Sequence, residues 1–177
     1  VDGIFNRVPS FPVRPIFENS DNITGLKKAK NFLYLTDPSR FDSQDGIVDR
    51  LSTTNFDALV LDVFDRARNP FTKKNVRRLQ LKRIGARRLV LATMNISIAD
   101  SSHFYWKPGW TTGNPRFIST QAPGSADLHL VNYWDGAWQD ILTDKPDSYV
   151  YGIAKQGFDG VLLDGVDNYR LYETDDK

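Results

Sequence analysis

Acidic side chains stand where the apolar runs of this sequence end. Asp62 follows Leu59-Val60-Leu61, and Asp164 follows Val161-Leu162-Leu163, with Asp167 shortly after it. When two carboxylates share a cleft, one can protonate a leaving oxygen while the other acts as nucleophile or activates a water, which is the chemistry of glycosidic cleavage. Asp62 and Asp164 are therefore the candidate catalytic residues.

Two further aspartates occupy similar places in the sequence. Asp100 lies just past Met94–Ile96, and Asp135 follows Tyr133 and Trp134. An aspartate at such a position often caps the helix that follows, because its carboxylate accepts hydrogen bonds from the first backbone N–H groups. Helix capping and a role in a cleft therefore remain open for each of these residues.

The aromatic residues of the loops could bind a sugar. Trp106, Trp110, Tyr133 and Trp134 carry flat apolar faces with polar edges. Such faces pack against the apolar face of a sugar ring while its hydroxyls bind nearby carboxylates and amides. The alternative, weighed equally, is that these rings anchor loops and fill the core.

A cationic cluster occupies the middle of the chain, from Arg66 to Arg88. Phosphate binding is one interpretation of it. The cluster contains no interleaved aromatic residue besides Phe71 and coincides with a predicted amphipathic helix. The pattern therefore favours a solvated helix face. Its members are Arg66, Arg68, Lys73, Lys74, Arg77, Arg78, Lys82, Arg83, Arg87 and Arg88.

The overall composition predicts neither a metal, a cofactor nor a nucleic-acid partner. The 177 residues include no cysteine and only two histidines, and the formal net charge is +1. Neither His103 nor His129 forms an i, i+4 pair with another metal ligand. The longest apolar runs are too short to span a bilayer. We therefore expect no metal, no cofactor and no membrane span, and the sequence leaves the oligomeric state open.

Several runs of apolar residues predict strands that alternate with helices. Most are continuous rather than alternating, which is typical of a parallel sheet buried on both faces. The predicted strands are Gly3–Asn6, Asn31–Thr36, Ala58–Phe64, Arg88–Ile96, Leu128–Tyr133 and Gly160–Asp164. The predicted helices are Lys73–Ile84, Gly136–Leu142 and Ser148–Gln156, capped by Thr72, Asp135 and Asp147, with weaker helical patterns over Ile23–Lys30 and Gln44–Leu51.

This alternation predicts βαβ units, and we expect residues 1–177 to form one (β/α) TIM-like barrel domain. In such a barrel the carboxyl ends of all strands meet at one face, where acids distant in sequence would share a cleft. A complete eight-stranded barrel needs about 200 residues or more. The barrel would thus be incomplete, cyclically shifted or part of a larger one. Six strands would leave unpaired edges, which require a partner, a further segment or an open sheet.

Four segments of the chain share their sequence pattern with one known family. Val131-Asn-Tyr-Trp-Asp-Gly-Ala-Trp-Gln-Asp-Ile-Leu142 is similar to that family's "V-x-Y-W-x-x-x-W-Q-x-I" segment. Gly157-Phe-Asp-Gly-Val-Leu-Leu-Asp-Gly-Val-Asp-Asn-Tyr169 resembles its "G-F-D-G-V-x-x-D-x-x-D-x-Y" signature. Phe56-Asp-Ala-Leu-Val-Leu-Asp62 is similar to its "Y-D-x-x-V-x-D" strand, and Phe104-Tyr-Trp106 to its "Y-Y-W". Together these segments resemble glycoside hydrolase family 114, the endo-α-1,4-polygalactosaminidase-like proteins.

The resemblance covers about residues 31–173 and implies a TIM-like barrel and hydrolysis of a galactosamine-containing polysaccharide. It also implies a bacterial protein that acts outside the cytoplasm, in the periplasm, at the cell surface or in the medium. Asp62 and Asp164 match acidic positions of the family, and which of them is the acid and which the nucleophile stays open. The predicted substrate-binding residues are Asp100, Trp106, Asn132, Tyr133, Trp134 and Asp167.

One segment departs from the family pattern. Where the family has "Y-M-S-I-G-E-A-E-x-Y-R", this chain reads Thr93-Met-Asn-Ile-Ser-Ile-Ala-Asp-Ser-Ser-His103. Ile98 replaces the first Glu of that pattern, and an aliphatic side chain transfers no proton. Asp100 replaces the second Glu with a side chain shorter by one methylene. The alternative function is therefore a catalytically weakened relative that binds polysaccharide without cleaving it.

Overall fold

The larger sheet has five strands in the order β1-β2-β3-β6-β10. The structure, a computed structural model, describes residues 4–5, 14–37, 41–65 and 69–172. Its strands are β1 (Ile4–Phe5), β2 (Phe32–Leu35), β3 (Ala58–Leu61), β4 (Phe64–Asp65), β5 (Asn69–Pro70), β6 (Leu89–Asn95), β7 (Ile98–Asp100), β8 (Ile118–Gln121), β9 (Leu128–Val131) and β10 (Gly160–Asp164). β4 and β5 form a separate two-stranded sheet.

The strands of this sheet run in the same direction. β1 pairs parallel with β2, β2 with β3, and β3 with β6. The Asp159 N–H donates to the Val90 carbonyl at 2.9 Å and the Ile96 N–H donates to the Asp164 carbonyl at 3.0 Å, so β10 follows the direction of β6. Every residue of β3 is buried, as expected for a continuous apolar run with strands on both sides.

The predicted helices form, although some end elsewhere than expected. The helices are α1 (Gln44–Ser52), α2 (Lys73–Leu79), α3 (Gly136–Gln139), which continues as a π-helical segment over Asp140–Asp144, and α4 (Tyr149–Gln156). The Thr72 hydroxyl caps α2 by accepting the Asn75 N–H at 3.1 Å, as predicted. α2 ends at Leu79 instead of Ile84. The predicted helix over Ile23–Lys30 is reduced to a 3-10 turn at Leu26–Lys28.

A second sheet is antiparallel and has the order β7-β9-β8. Leu128–Tyr133 was expected to be a strand of the parallel sheet, but β9 pairs antiparallel with β7 on one side and β8 on the other. The turn from β8 to β9 is short, and the Ala122 N–H donates to the Leu128 carbonyl at 2.8 Å. Closing such a short connection costs less conformational entropy than reaching a distant strand. β9 therefore pairs locally.

The prediction of a TIM-like barrel is wrong. Over the residues that the structure describes, the parallel strands form an open sheet with β1 and β10 at its edges, and no closed barrel forms. Closure requires the two edge strands to be joined through further strands. The run Leu128–Tyr133 was expected to supply one of these further strands, but it forms β9, whose two edges are already paired with β7 and β8. The fold is mixed α/β with a parallel and a separate antiparallel sheet.

The described residues group into two compact units. The first comprises those within Val1–Thr93 together with Ile153–Leu162, and the second comprises Met94–Gly152 together with those within Leu163–Lys177. The core of the second unit surrounds Trp138, which is fully buried and donates its indole N–H to the Ile96 carbonyl at 2.8 Å. Tyr105 and Phe117 pack on this indole with ring centroids 5.5 Å away.

Two members of the cationic cluster are buried in the first unit, which corrects the prediction of a solvated helix face for them. The Lys82 ammonium binds the Asp57 carboxylate at 2.6 Å, and both side chains are fully buried. Arg88 is also fully buried, and the loss of solvation lowers its pKa to about 9. Arg66 and Arg68 lie outside the described residues.

Arg88 holds the ends of two helices. Its guanidinium donates to the carbonyls of Leu51 at 2.9 Å and Thr54 at 3.3 Å, beside the end of α1. It also donates to the carbonyls of Leu79 at 2.6 Å and Leu81 at 2.7 Å, beside the end of α2. The last carbonyls of a helix lack intrahelical donors and carry partial negative charge, so one cation satisfies both ends.

The helices are all short. Within the described part of the chain, no helix has both the length and the apolar character that crossing a membrane requires.

Candidate functional site

Asp164 ends β10 with an exposed carboxylate. One oxygen, Oδ1, accepts the N–H of Gly165 at 2.8 Å, and the other, Oδ2, lies 3.5 Å from the Asn95 amide nitrogen. Asn95 is the last residue of β6, the strand beside β10. The side chains at the carboxyl ends of two adjacent parallel strands thus meet, and the Asp164 oxygens keep lone pairs directed to solvent.

The orientation of the Asn95 amide is determined by its own backbone turn. Its Oδ1 accepts the N–H of Ser97 at 3.0 Å and that of Ile98 at 2.8 Å. Because an amide presents its oxygen and its NH2 group on opposite sides, these two bonds direct the NH2 group toward Asp164. Asn95 therefore presents a donor, and not an acceptor, to the carboxylate.

Ser97 connects the segment after β10 to the antiparallel sheet. Its hydroxyl donates to the Gly165 carbonyl at 2.9 Å and accepts the Asn168 amide at 2.8 Å. Its carbonyl accepts the Val131 N–H at 3.0 Å. Ser97 is 1% exposed, so these bonds form away from water and are correspondingly costly to break.

Gly165 is required by the close approach of this segment to Asn95 and Ser97. Its φ is +73°, a conformation that L side chains rarely adopt. A Cβ atom at this position would also collide with the Ser97 hydroxyl and lie 2.7 Å from Asn95 Oδ1. Any other residue would displace the loop that follows Asp164.

An aromatic cluster of Tyr133, Trp134 and Tyr172 lies on the same unit. The Trp134 ring contacts Tyr133 at 4.9 Å and Tyr172 at 5.1 Å between centroids, both edge to face. Trp134 remains 54% exposed. The Tyr172 hydroxyl donates to the Val131 carbonyl at 2.9 Å, which ties the cluster to β9. Partial burial is the main cause that raises the pKa of Tyr172, with a smaller contribution from Tyr133 and an opposing one from its hydrogen bond with Ser119.

Asn132 and Asp135 hold the loop that carries this cluster. The Asn132 amide donates to the Arg116 carbonyl at 3.1 Å. The Asp135 carboxylate caps α3 by accepting the Ala137 N–H at 2.9 Å and binds the Arg116 guanidinium at 3.3 Å. The capping interpretation of Asp135 is therefore confirmed.

Asp100 and Trp106 have local partners. The Asp100 carboxylate accepts both the N–H and the hydroxyl of Ser102 at 2.7 Å, a turn within its own loop. The Trp106 ring packs on His129 at 4.9 Å and on Trp110 at 5.5 Å. These contacts agree with the loop-anchoring alternative, and the substrate-binding role of Asp100 and Trp106 stays a prediction.

The other predicted acids are placed as follows. Asp62 directly follows β3 in the first unit and is half-buried, and its Oδ1 accepts the Phe64 N–H at 2.9 Å. Asp164 belongs to the second unit. Asp167 is exposed and precedes a 3-10 turn over Asn168–Leu171, whose first N–H groups it does not cap. The pairing of Asp62 with Asp164 in one cleft stays a prediction.

Sequence reasoning missed Asn95, Ser97, Gly165, Asn168 and Tyr172. Asn95 could have been found, because it ends an apolar run as Asp62 and Asp164 do, but only acids were sought at strand ends. Ser97 and Gly165 carry no chemical group that would attract attention. Their roles come from a contact between segments about seventy residues apart, which no local pattern records.

The described residues contain no group of three or more His, Asp or Glu side chains that could hold a metal ion.

Comparison with known proteins finds relatives but assigns no family, and no family model matches the chain. An uncharacterized protein of Methanocaldococcus jannaschii is 28% identical over 159 residues, 87% of this chain and 42% of that protein. One of Deinococcus radiodurans is 31% identical over 122 residues, 69% of this chain and 37% of that protein. One of Thermotoga maritima is 32% identical over 82 residues, 46% of this chain and 24% of that protein. The chain spans about two fifths or less of these relatives' length.

Proposed function

We propose that this protein acts on a galactosamine-containing polysaccharide as a glycoside hydrolase-like protein, with Asp164 as a catalytic carboxylate. The observation that carries the proposal is the exposed Asp164 carboxylate at the carboxyl end of β10, oriented by the Gly165 N–H and the Asn95 amide. Active-site groups of α/β proteins concentrate outside the carboxyl ends of parallel strands. The carboxylate is therefore both accessible and held in one place.

The chemistry requires a second carboxylate, and Asp62 is the proposed one. One of the two protonates the glycosidic oxygen, and the other attacks the anomeric carbon or activates a water. Asp62 directly follows β3, a strand of the parallel sheet, and its carboxylate is oriented by the Phe64 N–H. The resemblance of both segments to glycoside hydrolase family 114 supports this assignment and the choice of polysaccharide.

The exposed aromatic cluster supports a carbohydrate ligand. Trp134 and Tyr133 present flat surfaces near polar groups, an arrangement that favours the apolar face of a pyranose ring over a charged polymer. In this proposal Asn132, Tyr133, Trp134 and Asp167 contact the polysaccharide. The resemblance to glycoside hydrolase family 114 also supports the proposal that the protein acts outside the cytoplasm.

A second function, polysaccharide binding without cleavage, is favoured by one residue. Ile98 stands in β7, paired with Leu130, where the resembling family carries a glutamate. If that glutamate supplies a proton in the family, this chain retains the ligand contacts and loses the chemical step. Ile98 thus separates the two functions.

The deciding experiment measures product release from acetylated and partly deacetylated galactosamine oligomers. We expect cleavage by the unchanged protein and its loss in Asp164→Asn, since an amide neither transfers a proton nor attacks carbon. Asp144→Asn is the matched control, because Asp144 is another exposed acid of the second unit and lies outside the proposed site.

Each outcome of this assay has a distinct meaning. Equal cleavage by the protein and by Asp164→Asn would contradict the catalytic role of Asp164. Binding without cleavage would favour the second function, and a gain of cleavage in Ile98→Glu would then confirm it. Absence of both binding and cleavage would reject the polysaccharide.

A further inference from the structure

A cleft of about 550 Å³ lies within the second unit. It shares no residue with the aromatic cluster or with the strand-end site, which consists of Asp164 and its neighbours Asn95, Ser97 and Gly165. The loop after β7 forms one wall, and residues of α3 and the π-helical segment form the other. Sites for small organic ligands usually measure roughly 300–1,000 Å³. The cleft therefore has the size expected for one or two sugar rings.

Aromatic side chains supply the floor and one wall of the cleft. Trp110 is half-buried and is held edge to face against the buried Phe117, with ring centroids 5.2 Å apart. Phe104, 41% exposed, also faces the cleft. Trp110 is thus fixed in position by its neighbours while part of its surface remains accessible to a ligand.

Charged groups of both signs line the opposite side and the rim. The Lys145 ammonium binds the Asp140 carboxylate at 2.6 Å, and this hydrogen bond and ion pair raise the pKa of Lys145. Asp147 is exposed beside them, and the Lys107 ammonium lies 5.9 Å from the centre of the Trp110 ring. Donors and acceptors therefore stand side by side along the aromatic surface.

We propose that this cleft binds an uncharged pyranose unit of the polysaccharide, as a saccharide subsite additional to the strand-end site. The pyranose ring packs on Trp110. Its neighbouring hydroxyls donate to the Asp140 and Asp147 carboxylates and accept from Lys145. The identity of the polysaccharide rests on the proposed function, whereas the ligand class follows from the lining of the cleft.

The charge balance of the cleft argues against a charged ligand. Two ammonium groups, on Lys107 and Lys145, face two carboxylates, on Asp140 and Asp147. A phosphate or carboxylate ligand would be attracted by the two ammonium groups and repelled by the two carboxylates. A cationic ligand would be repelled by the ammonium groups and attracted by the carboxylates. A hydroxyl accepts and donates at once, so a neutral polyol satisfies both pairs.

The test is a titration of the 177-residue protein with an acetylated galactosamine tetramer, followed through the indole N–H signals in NMR spectra. The four tryptophans are assigned from single Trp→Phe variants. We expect a saturable shift of the Trp110 signal, and none at Trp138, whose indole N–H is buried and bound to the Ile96 carbonyl. The Trp134 signal reports on the aromatic cluster independently.

Two variants measure the contribution of the cleft to the Kd. Trp110→Ala should weaken binding of the tetramer about tenfold, the effect of losing one stacking contact. Asp147→Ala should weaken it several-fold and is the safer variant for folding, because Asp147 is exposed. Tyr151→Ala is the matched control: Tyr151 is another exposed aromatic residue of the second unit, it lies outside the cleft and the proposed site, and its loss should leave the Kd and the Trp110 shift unchanged.

A Trp110 signal that stays fixed while the Trp134 signal moves would overturn this inference and leave the proposed function standing. A Kd unchanged in both cleft variants would also overturn it. If no indole signal moves, the cleft does not bind the tetramer and the inference fails. Product release with Asp164→Asn then decides the proposed function separately.

Discussion

At the residue scale, the candidate site depends on one amide whose direction is set by the backbone. Asn95 uses its oxygen for the N–H groups of Ser97 and Ile98, so its NH2 group is left for Asp164. Such an amide can bind the carboxylate in its ionised form without adding charge. Asn95 therefore helps to orient the Asp164 carboxylate without placing a second charge beside it.

This assignment predicts the effect of Asn95→Asp. The new carboxylate keeps an oxygen for the two backbone N–H groups but presents a negative charge where Asp164 now meets a donor. We expect the protein to fold and its cleavage or binding of galactosamine oligomers to fall about tenfold, because the new carboxylate repels that of Asp164 and disturbs its position. Circular dichroism together with the product-release and titration assays measures both parts. Unchanged cleavage and binding would show that the contact between Asn95 and Asp164 has no functional role.

A second prediction at this scale concerns Gly165→Ala. Gly124 is the matched control, since it also has a positive φ, +80°, but has no atom near the position of a new Cβ. Gly124→Ala should cost about 1 kcal/mol of unfolding free energy from backbone strain alone. Gly165→Ala should cost about 1–3 kcal/mol more, because the methyl collides with Ser97 and Asn95. Denaturant unfolding compares the two, and equal losses would contradict the close packing of this loop.

At the element scale, the first unit depends on Arg88 to complete two helices. The carbonyls it binds lie at or just after the ends of α1 and α2, and the bonds to Leu51 and Leu79 are buried together with the guanidinium. The short length of α2 follows from the same arrangement. Its backbone turns after Leu79 so that the chain can bring Arg88 beneath both helix ends.

We therefore predict that Arg88→Leu destabilises the protein by about 2–4 kcal/mol, since the Leu79 and Leu81 carbonyls lose their donor, whereas those of Leu51 and Thr54 keep backbone donors. Arg83→Leu is the control, because Arg83 is exposed, and it should change the unfolding free energy by less than about 0.5 kcal/mol. Urea unfolding followed by circular dichroism measures both. A loss of under 1 kcal/mol in Arg88→Leu would show that water satisfies those carbonyls.

Tyr172, which follows the 3-10 turn at Asn168–Leu171 and binds the Val131 carbonyl of β9, predicts that the stability of the protein depends on pH. Burial raises the pKa of Tyr172, so the folded state holds the phenol proton more tightly than the unfolded state does. Its contribution to stability is complete below the unfolded pKa near 10 and is lost as pH rises through the higher folded pKa. Tyr172→Phe should flatten the fall of the unfolding temperature above about pH 10, which thermal melts across pH 8–11 would detect. An unchanged alkaline slope would exclude Tyr172 as its source.

At the scale of the whole molecule, the distribution of charge argues against an anionic polymer as partner. Within the described part of the cationic cluster, Lys82 and Arg88 are buried, Arg78 binds Asp49 at 2.6 Å, and Arg87 binds Asp159 at 2.5 Å. The other four described members, Lys73, Lys74, Arg77 and Arg83, are exposed, so about half of the described cluster is available to neutralise phosphates. The formal net charge of +1 adds no long-range attraction.

This distribution predicts weak binding of single-stranded DNA with a shallow dependence on salt. Since the slope of log K against log salt is about −0.7 for each neutralised phosphate, contacts from these four residues should give a slope no steeper than about −3, against about −7 if all ten cations of the cluster bound phosphates. This slope is measured by the fluorescence anisotropy of a labelled oligonucleotide between 50 and 200 mM salt, roughly a fourfold range. A steep slope would restore the phosphate-binding interpretation.

The sequence by itself determined the elements whose causes are local. Continuous apolar runs formed β2, β3, β6 and β10. Among these strands only β3 is buried at every residue, as a run apolar on both faces predicts, whereas Leu162 and Leu163 of β10 are exposed. Thr72 and Asp135 capped their helices, and Gly157, with a φ of +91°, ended α4, because each acts on backbone groups within a few residues.

Only the tertiary structure decided which strands pair, which charges are buried and where Asn95 points. The run at Leu128–Tyr133 was equally suited to a parallel or an antiparallel neighbour, and the short turn from β8 settled the choice. The burial of Arg88 depends on two helix ends that meet above it. The donor facing Asp164 arises because Asn95 and Asp164, sixty-nine residues apart, end adjacent strands. Such contacts join distant segments of the chain, so no local sequence pattern contains them.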